Sequence, residues 1–217
     1  MSKRIVRNIF ENVNDENIAL TSEISTKLSY KDLKLFIDKI SKQLAGNGLS
    51  NKDRAAIVLP NGPYMALSFL AISSYMSAAP LNPSYKSEEY EFYLKDLNPK
   101  IVLVEKNSEN PVVDVAKKLK IELCEINPEK DGPSGIFNIY EKESEYSLPD
   151  ESDEALVLHT SGTTSRPKIV PLTNKNIFSS AENISKSLNL SKNDHCLNIM
   201  PLFHIHGLIA ILASSMK

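Results

Sequence analysis

Between Arg54 and Ile126 the chain repeats one pattern, a short apolar run followed by a turn and a helical stretch. Arg54-Ala-Ala-Ile-Val-Leu59 ends at Pro60-Asn61-Gly62, and a helical stretch from Tyr64 to Ser77 leads into Ala78-Ala-Pro-Leu-Asn82. Ser87 to Leu97 reads as a helix stopped by Asn98-Pro99, and Ile101 to Val104 as a buried strand. Pro111 to Leu119 follows as a helix and Ile121 to Ile126 as a further strand. Alternation of this kind predicts an α/β fold with a mainly parallel sheet and helices on its faces.

The flanking segments extend the same scheme. Tyr30, Leu33, Phe36, Ile37, Ile40 and Leu44 recur at helical spacing, with Ser29 placed to cap the start and Gly46 and Gly48 to supply a stop. Residues 128–153 change character, with Pro128, Gly132, Pro133, Gly135, Pro149 and many acids, and read as a surface excursion or linker. Ala155-Leu-Val-Leu-His159 resumes a strand, and Ile169-Val-Pro-Leu172 is strand-like. Thr173-Asn174 then caps a helix reaching Leu188. Further on, His195 is expected to begin another strand and Leu208 to Met216 to form an apolar helix.

Composition bounds the partners. With 217 residues, 41% hydrophobic and 24% charged, the chain is composed as a globular protein, and its net charge of −2 offers no general attraction to nucleic acid or anionic membrane. A polyanion must therefore meet a local site. Cys124 and Cys196 are far apart with no C-x-x-C pair, which argues against a zinc ribbon or disulfide scaffold and makes a reducing, cytoplasmic setting the expectation. The start of the chain lacks an apolar run of secretory length, and Met65 to Ala79 is broken by four serines and too short to span a bilayer.

The strand ending at His159 runs into Thr160-Ser-Gly-Thr-Thr-Ser-Arg-Pro-Lys168. Gly162 permits close backbone approach, the hydroxyls of Thr160, Ser161, Thr163, Thr164 and Ser165 can donate to phosphate oxygens, and Lys168 offsets negative charge. Walker A spacing is absent, because Gly162 stands alone and no Ser or Thr follows Lys168. Composition alone leaves a solvated Ser/Thr/Gly turn as the alternative. Position at the carboxyl end of a strand, where open α/β sheets bind ligands, favours a site.

The string TSGTTSRPK, preceded by Leu158-His159 and followed by Ile169-Val-Pro-Leu-Thr173, resembles the signature phosphate loop of the acyl-adenylate-forming enzymes. Ser165 and Ile169 stand where that family usually carries glycine, and the serine is similar to the oxalyl-CoA synthetase branch. Leu28-Ser-Tyr30, Leu59-Pro-Asn-Gly62 and Ala79-Pro-Leu-Asn-Pro83 with Tyr85, Glu89, Phe92, Tyr93 and Leu94 resemble scaffold segments of the same branch. By their own chemistry Tyr90, Phe92 and Tyr93 read as core residues.

Met200-Pro-Leu-Phe-His-Ile-His-Gly-Leu208 is the second chemical segment. Read alone, His204 and His206 are two histidines at a strand end, where alternation would set both on one face; a metal pair is a weaker reading without nearby carboxylates. The resemblance implies that His204 lies beside the acyl pocket as a catalytic or orienting group. The His-x-His-Gly form looks like malonyl-CoA synthetases, so His204 or His206 is expected to bind the distal carboxylate of an oxalate- or malonate-like substrate. His159 and His195 have weaker claims.

What the resemblance implies as a whole is a carboxylate joined to AMP from ATP with magnesium, pyrophosphate being expelled, then a thioester formed with CoA. The chain ends at Lys217 without the family's later adenine, ribose and lysine motifs, so residues 1–217 are expected to be a partial N-terminal AMP-binding domain. A domain that loads a carrier protein, or a truncated non-catalytic nucleotide-binding fragment, stands as the alternative. A peroxisomal address would sit at a longer parent's true C-terminus, and Ser-Met-Lys at 215–217 is not that signal.

Overall fold

The computed structural model describes residues 3–22, 26–129, 132–160 and 167–217. Among them a single turn of 3-10 helix, Val6–Asn8, precedes a two-stranded antiparallel ribbon, β1 (Ile18–Leu20) and β2 (Leu28–Ser29). The main body then runs α1 (Tyr30–Gly46), β3 (Arg54–Val58), α2 (Pro63–Ser73), β4 (Ser77–Pro80), α3 (Ser87–Leu97), β5 (Ile101–Glu105), α4 (Val112–Leu119) and β6 (Glu122–Pro128). After the short β7 (Phe137–Asn138) come β8 (Glu154–His159), β9 (Ile169–Thr173), α5 (Asn174–Ser187) and a π-helix, His206–Ala213.

Seven strands form one sheet in the order β7-β6-β5-β3-β4-β8-β9. The pairs β3–β4, β3–β5, β5–β6 and β4–β8 are parallel, as the alternation predicts. Both edges are antiparallel: β7 against β6, and β9 against β8. The second has a simple cause. Only the nine residues from Thr160 to Lys168 join β8 to β9, and a parallel crossover needs a dozen or more.

Two apolar layers sandwich the sheet. Ala55, Ile57, Ile101 and Leu103 point into one, with α1, α2 and α5, while their strand neighbours Ala56, Val58, Val102 and Val104 point into the other, with α3 and α4. Side chains of a strand alternate between faces, so burial of both sets accounts for the unbroken apolar runs. The helix α2 sits between strand and helix layers and is apolar nearly all round, with Met65 through Ser73 all buried. Among the described residues, its polar atom Ser68 Oγ, and Ser74 Oγ just after it, are buried without a partner.

Local signals set the helix ends. Ser29 Oγ accepts from Asp32 N–H at 3.1 Å at the start of α1, and Thr173 Oγ1 accepts from Asn176 N–H at 3.2 Å at the start of α5. Asn98 closes α3 in the left-handed conformation, φ 47°, ahead of Pro99. The two glycines after Leu44 divide the labour. Gly48 takes φ +82° and ends the helix, whereas Gly46 is a packing residue whose missing side chain lets the Lys142 carbonyl approach.

That contact belongs to a segment that differs from its sequence reading. Residues 132–153 are strapped onto α1 rather than looping free: Phe137 and Ile139 are buried, Phe137 meets Phe36 edge-on at 5.0 Å, and Gln43 Oε1 accepts from Ile139 N–H at 3.1 Å. Tyr146 donates to Asp38 at 2.8 Å. The N-terminal turn docks through one buried amide, Asn174, whose Oδ1 accepts from Val6 N–H at 3.0 Å while its backbone N–H donates to the Asp153 carbonyl at 2.9 Å.

The expected strand at His195 does not form. Residues 195–199 lie outside any sheet, with Leu197 and Ile199 83% and 77% exposed, because no described strand offers them a ladder of hydrogen bonds. The expected helix from Leu208 begins two residues earlier and is a π-helix over His206–Ala213.

Two outcomes follow from this packing. Gly46→Ala would ordinarily stabilise a helix by about 1 kcal/mol; here a Cβ would stand 2.4 Å from Lys142 O, so urea unfolding is expected to show a loss of about 1–3 kcal/mol. The second concerns acid. Burial favours the neutral form of Asp153, but hydrogen bonds from the Lys52 ammonium and the Asp150 N–H outweigh it and hold the carboxyl below its ordinary 3.8. A lowered folded pKa contributes stability above the ordinary carboxylate pKa and loses it as pH falls through the folded value. The stability advantage of wild type over Asp153→Asn in thermal melts is therefore expected to shrink below about pH 4.

Candidate functional site

Because β3, β4 and β8 are parallel, their carboxyl ends share one edge of the sheet. Turns leaving that edge carry Asn61 and Gly62 after β3, Leu81 and Asn82 after β4, and Thr160 after β8. The β8–β9 hairpin is closed at its tip by a reciprocal pair. Thr160 N–H donates to the Lys168 carbonyl at 2.9 Å, and Lys168 N–H donates to Thr160 Oγ1 at 3.0 Å. Both residues are exposed. Ser161, Gly162, Thr163, Thr164 and Ser165 lie outside the described residues.

The strand end below this tip is braced sideways. His159 Nε2 stands 2.9 Å from Asp96 Oδ2 on α3, and the imidazole meets the Tyr93 ring edge-on at 4.7 Å. With Asp96 ionised, the carboxylate accepts only, so Nε2 carries the proton. Tyr93 in turn stacks on Tyr85 at 4.8 Å, and Tyr85 meets the buried Tyr90 at 5.8 Å. Burial pushes the Tyr85 phenol well above its ordinary pKa, with Tyr93 adding to the shift, and burial carries Tyr90 up to about 12. Of the residues read as core, Tyr90 is buried, whereas Phe92 and Tyr93 are half-buried on α3 because they pack against His159 at the strand end.

The second segment lies at the same edge through Asn61. Its Nδ2 donates to the Met200 carbonyl at 3.3 Å and its Oδ1 accepts from Leu202 N–H at 2.8 Å. Leu202 is buried and plugs the segment into the core. Asn198 closes the other side, its Oδ1 accepting from Met200 N–H at 3.0 Å and its Nδ2 donating to the Gly207 carbonyl at 3.2 Å. Gly207 has no room for a side chain, since a Cβ would lie 2.4 Å from the Pro201 carbonyl.

His204 and His206 are thus not on a strand. Alternation fails because Met200 to His204 is a folded turn, with His204 N–H donating to the Pro201 carbonyl at 3.2 Å, and His206 opens the π-helix. Both are exposed. His206 borders a cavity of about 260 Å3 between α5 and the π-helix, lined also by Leu172, Asn176, Ser180, Ile184 and Ile209; His204 lies outside that lining. Long π-helices are rare and concentrate at functional sites, which marks this corner.

The opposite, amino edge of the sheet also has a cleft, about 340 Å3, and two of its cations are engaged, while Lys100 makes no ion pair among the described residues. Arg54 grips both oxygens of Glu154 at 2.7 and 2.8 Å and donates to the Leu97 carbonyl at 3.1 Å, while Lys52 is taken by Asp153. Hydrogen bonding to Glu154 raises the Arg54 pKa further. This pair spans β4 to join β3 with β8, and its chemistry is structural. Among the described residues there is no group of three or more His, Cys, Asp or Glu side chains that could hold a metal ion. No described helix is long and apolar enough to cross a membrane.

Asn61 is the residue that sequence reading left in the scaffold. Its Pro-Asn-Gly-Pro setting marks a turn, but its partners lie 139 and 141 positions away, and no local pattern announces them.

Comparison with known proteins agrees with this architecture. The family described as AMP-binding enzyme matches residues 10–217. An oxalate–CoA ligase of Arabidopsis thaliana is 37% identical over 205 residues, covering 91% of this chain and 40% of the relative. The oxalate–CoA ligase of Saccharomyces cerevisiae is 30% identical over 238 residues, 94% of this chain and 44% of the relative. In fold, apo MatB from Rhodopseudomonas palustris superposes with a TM-score of 0.84 over 99% of this chain and 44% of its own, at 21% identity. The chain spans about two fifths of the length of the curated relatives it matches. With a family match over residues 10–217 and a fold in agreement, this chain belongs to the AMP-binding enzyme family.

Proposed function

We propose that this chain is the triphosphate-gripping part of an ATP-dependent acyl-CoA ligase, and that its parent activates a small dicarboxylate of the oxalate type. The observation that carries the proposal is the placing of two chemical segments at one sheet edge. The hairpin tip closed by Thr160 and Lys168 leaves the carboxyl end of β8, and Asn61 holds Met200 to His204 at the carboxyl end of β3. The similarity to two oxalate–CoA ligases supports the dicarboxylate.

The chemistry needed is activation of a poor acyl donor. One carboxylate oxygen attacks the α-phosphorus of ATP, supplied as its magnesium complex; the bond from that phosphorus to the bridging oxygen breaks, and pyrophosphate leaves. The CoA sulfur then attacks the acyl carbon, AMP departs with the electron pair, and the thiol proton passes to solvent or a base. Nothing in the first step requires a covalent bond to protein, so the chain contributes position and charge.

Each described residue has a part in this. Thr160 Oγ1 already accepts from Lys168 N–H, so its own O–H remains to donate to a phosphate oxygen. Lys168 makes no ion pair among the described residues, leaving its ammonium for the phosphates. Ser161, Gly162, Thr163, Thr164 and Ser165 would complete the grip with hydroxyls and backbone amides. His204 is the catalytic candidate and, with His206, the candidate for the substrate's carboxylates, as a hydrogen-bond donor or a cation when protonated.

Calorimetric titration with ATP and magnesium tests the grip in the chain itself. Saturable heat is expected, with Lys168→Ala weakening binding between about tenfold and a hundredfold, the range for a lost charge-assisted hydrogen bond. A folded chain that gives no heat would end the proposal. In the complete ligase, His204→Ala and His206→Ala are expected to cost dicarboxylate turnover more than monocarboxylate turnover; equal losses would remove them from distal-carboxylate recognition.

A further inference from the structure

We infer that Asn61 is a positioning residue that sets where His204 stands, through paired hydrogen bonds to the backbone on both sides of Pro201. The role rests on the reading of Met200 to His206 as the wall of the carboxylate site, but the hook itself is a matter of geometry. The imidazole of His204 makes no hydrogen bond to any described residue, so the hydrogen bonds that place it are those of its backbone. That backbone is held at Met200 O and Leu202 N–H by one side chain, at 3.3 and 2.8 Å.

The side-chain chemistry is specific. A carboxamide offers a donor and an acceptor side by side, which matches a carbonyl and an N–H flanking a single residue. Aspartate lacks the donor and would set a negative charge against the Met200 carbonyl; glutamine is one methylene too long for the same turn. Proline at 201 has no N–H of its own, so the hook uses the polar groups of its two neighbours, and the Pro201 carbonyl is taken by His204 N–H at 3.2 Å.

The hook is also rigid at its root. Asn61 stands between Pro60 and the pair Gly62-Pro63, and Gly62 takes φ +154° with open space around it, so glycine is required there for conformation rather than packing. Pro63 is the first residue of α2. Asn61 thus projects from the point where β3 turns into the most buried helix of the fold, and transmits that fixed position to the His204 turn. Because Asn61 is exposed, its two bonds compete with water and matter for placing the turn more than for holding the fold together.

The test reads His204 directly. Imidazole 13C–1H spectra of the chain, with His204 assigned by His204→Gln and His159 as an internal control, are recorded for wild type, Asn61→Ala and Asn61→Asp. The His204 line is expected to shift or broaden in the alanine variant and less so in the aspartate variant, which keeps the Leu202 bond, while the His159 line stays in place. An unchanged His204 line in Asn61→Ala would overturn the inference. Should the alanine variant unfold, the His159 line would collapse with it, and the aspartate variant then decides by the same criterion.

A second readout separates placement from general damage. With ATP saturating, oxalate or malonate binding is expected to weaken between about twofold and tenfold in Asn61→Ala, with ATP affinity held within about twofold. Equal loss for nucleotide and carboxylate would show a merely structural role and contradict the inference. Wild-type chain that binds ATP but neither dicarboxylate would sink the carboxylate reading, and the imidazole spectra would still decide the role of Asn61.

Discussion

Burial of the central strands on both faces is the constraint from which the rest of the structure follows. Ala55 and Ile57 look into one apolar layer and Ala56 and Val58 into the other, and β5 divides its side chains the same way. A strand covered on both sides has no face left for polar chemistry, since an unpaired polar group there would cost roughly 1–3 kcal/mol. Polar side chains are therefore driven to the strand ends. The amino ends carry the Arg54–Glu154 pair, which holds β3 and β8 together across β4. The carboxyl ends carry Asn61 and Thr160.

The two edges differ in what their polar groups have left to give. At the amino edge, Arg54 and Lys52 are satisfied by Glu154 and Asp153, leaving Lys100 as the cation without an ion pair among the described residues. At the carboxyl edge, Lys168 and His204 make no ion pair with described residues, and Thr160 retains a hydroxyl proton. Fixed backbone with unspent donors is what a site for an anionic ligand needs, because the geometry is settled before the ligand arrives. The Thr160–Lys168 closure and the Asn61 hook supply the fixed part, each tying a candidate segment to a strand end that cannot move without disturbing both apolar layers.

How much of this could be read in the sequence depends on the range of the interaction. Helix α3 begins at Ser87 and ends at Leu97 as its stop signal at Asn98-Pro99 requires, and Ser29 and Thr173 cap as their types predict, because each signal acts within a few residues. The antiparallel β9 follows from loop length, since the nine residues joining it to β8 are too few for a parallel crossover. The strand expected at His195 needed a partner that no local pattern can supply, and its absence leaves Leu197 and Ile199 in solvent. The strap over α1 was hidden by composition: its prolines, glycines and acids dominate the count, while Phe137, Ile139 and Tyr146 do the anchoring. For the candidate site, the residue types of Thr160 to Lys168 suggested phosphate binding, whereas the two bonds by which Asn61 ties the end of β3 to Met200 and Leu202 are visible only in three dimensions.

The most direct measurement is a backbone amide NMR map of the 217-residue chain titrated with ATP and magnesium. Shifts concentrated at Thr160 and Lys168, reaching Gly62 and the Leu202 to His204 turn, are the expected result. Shifts gathered instead at Lys52, Asn98 and Lys100 on the amino edge, or none at the carboxyl edge at saturating nucleotide, would contradict the assignment of the triphosphate to the β8–β9 loop.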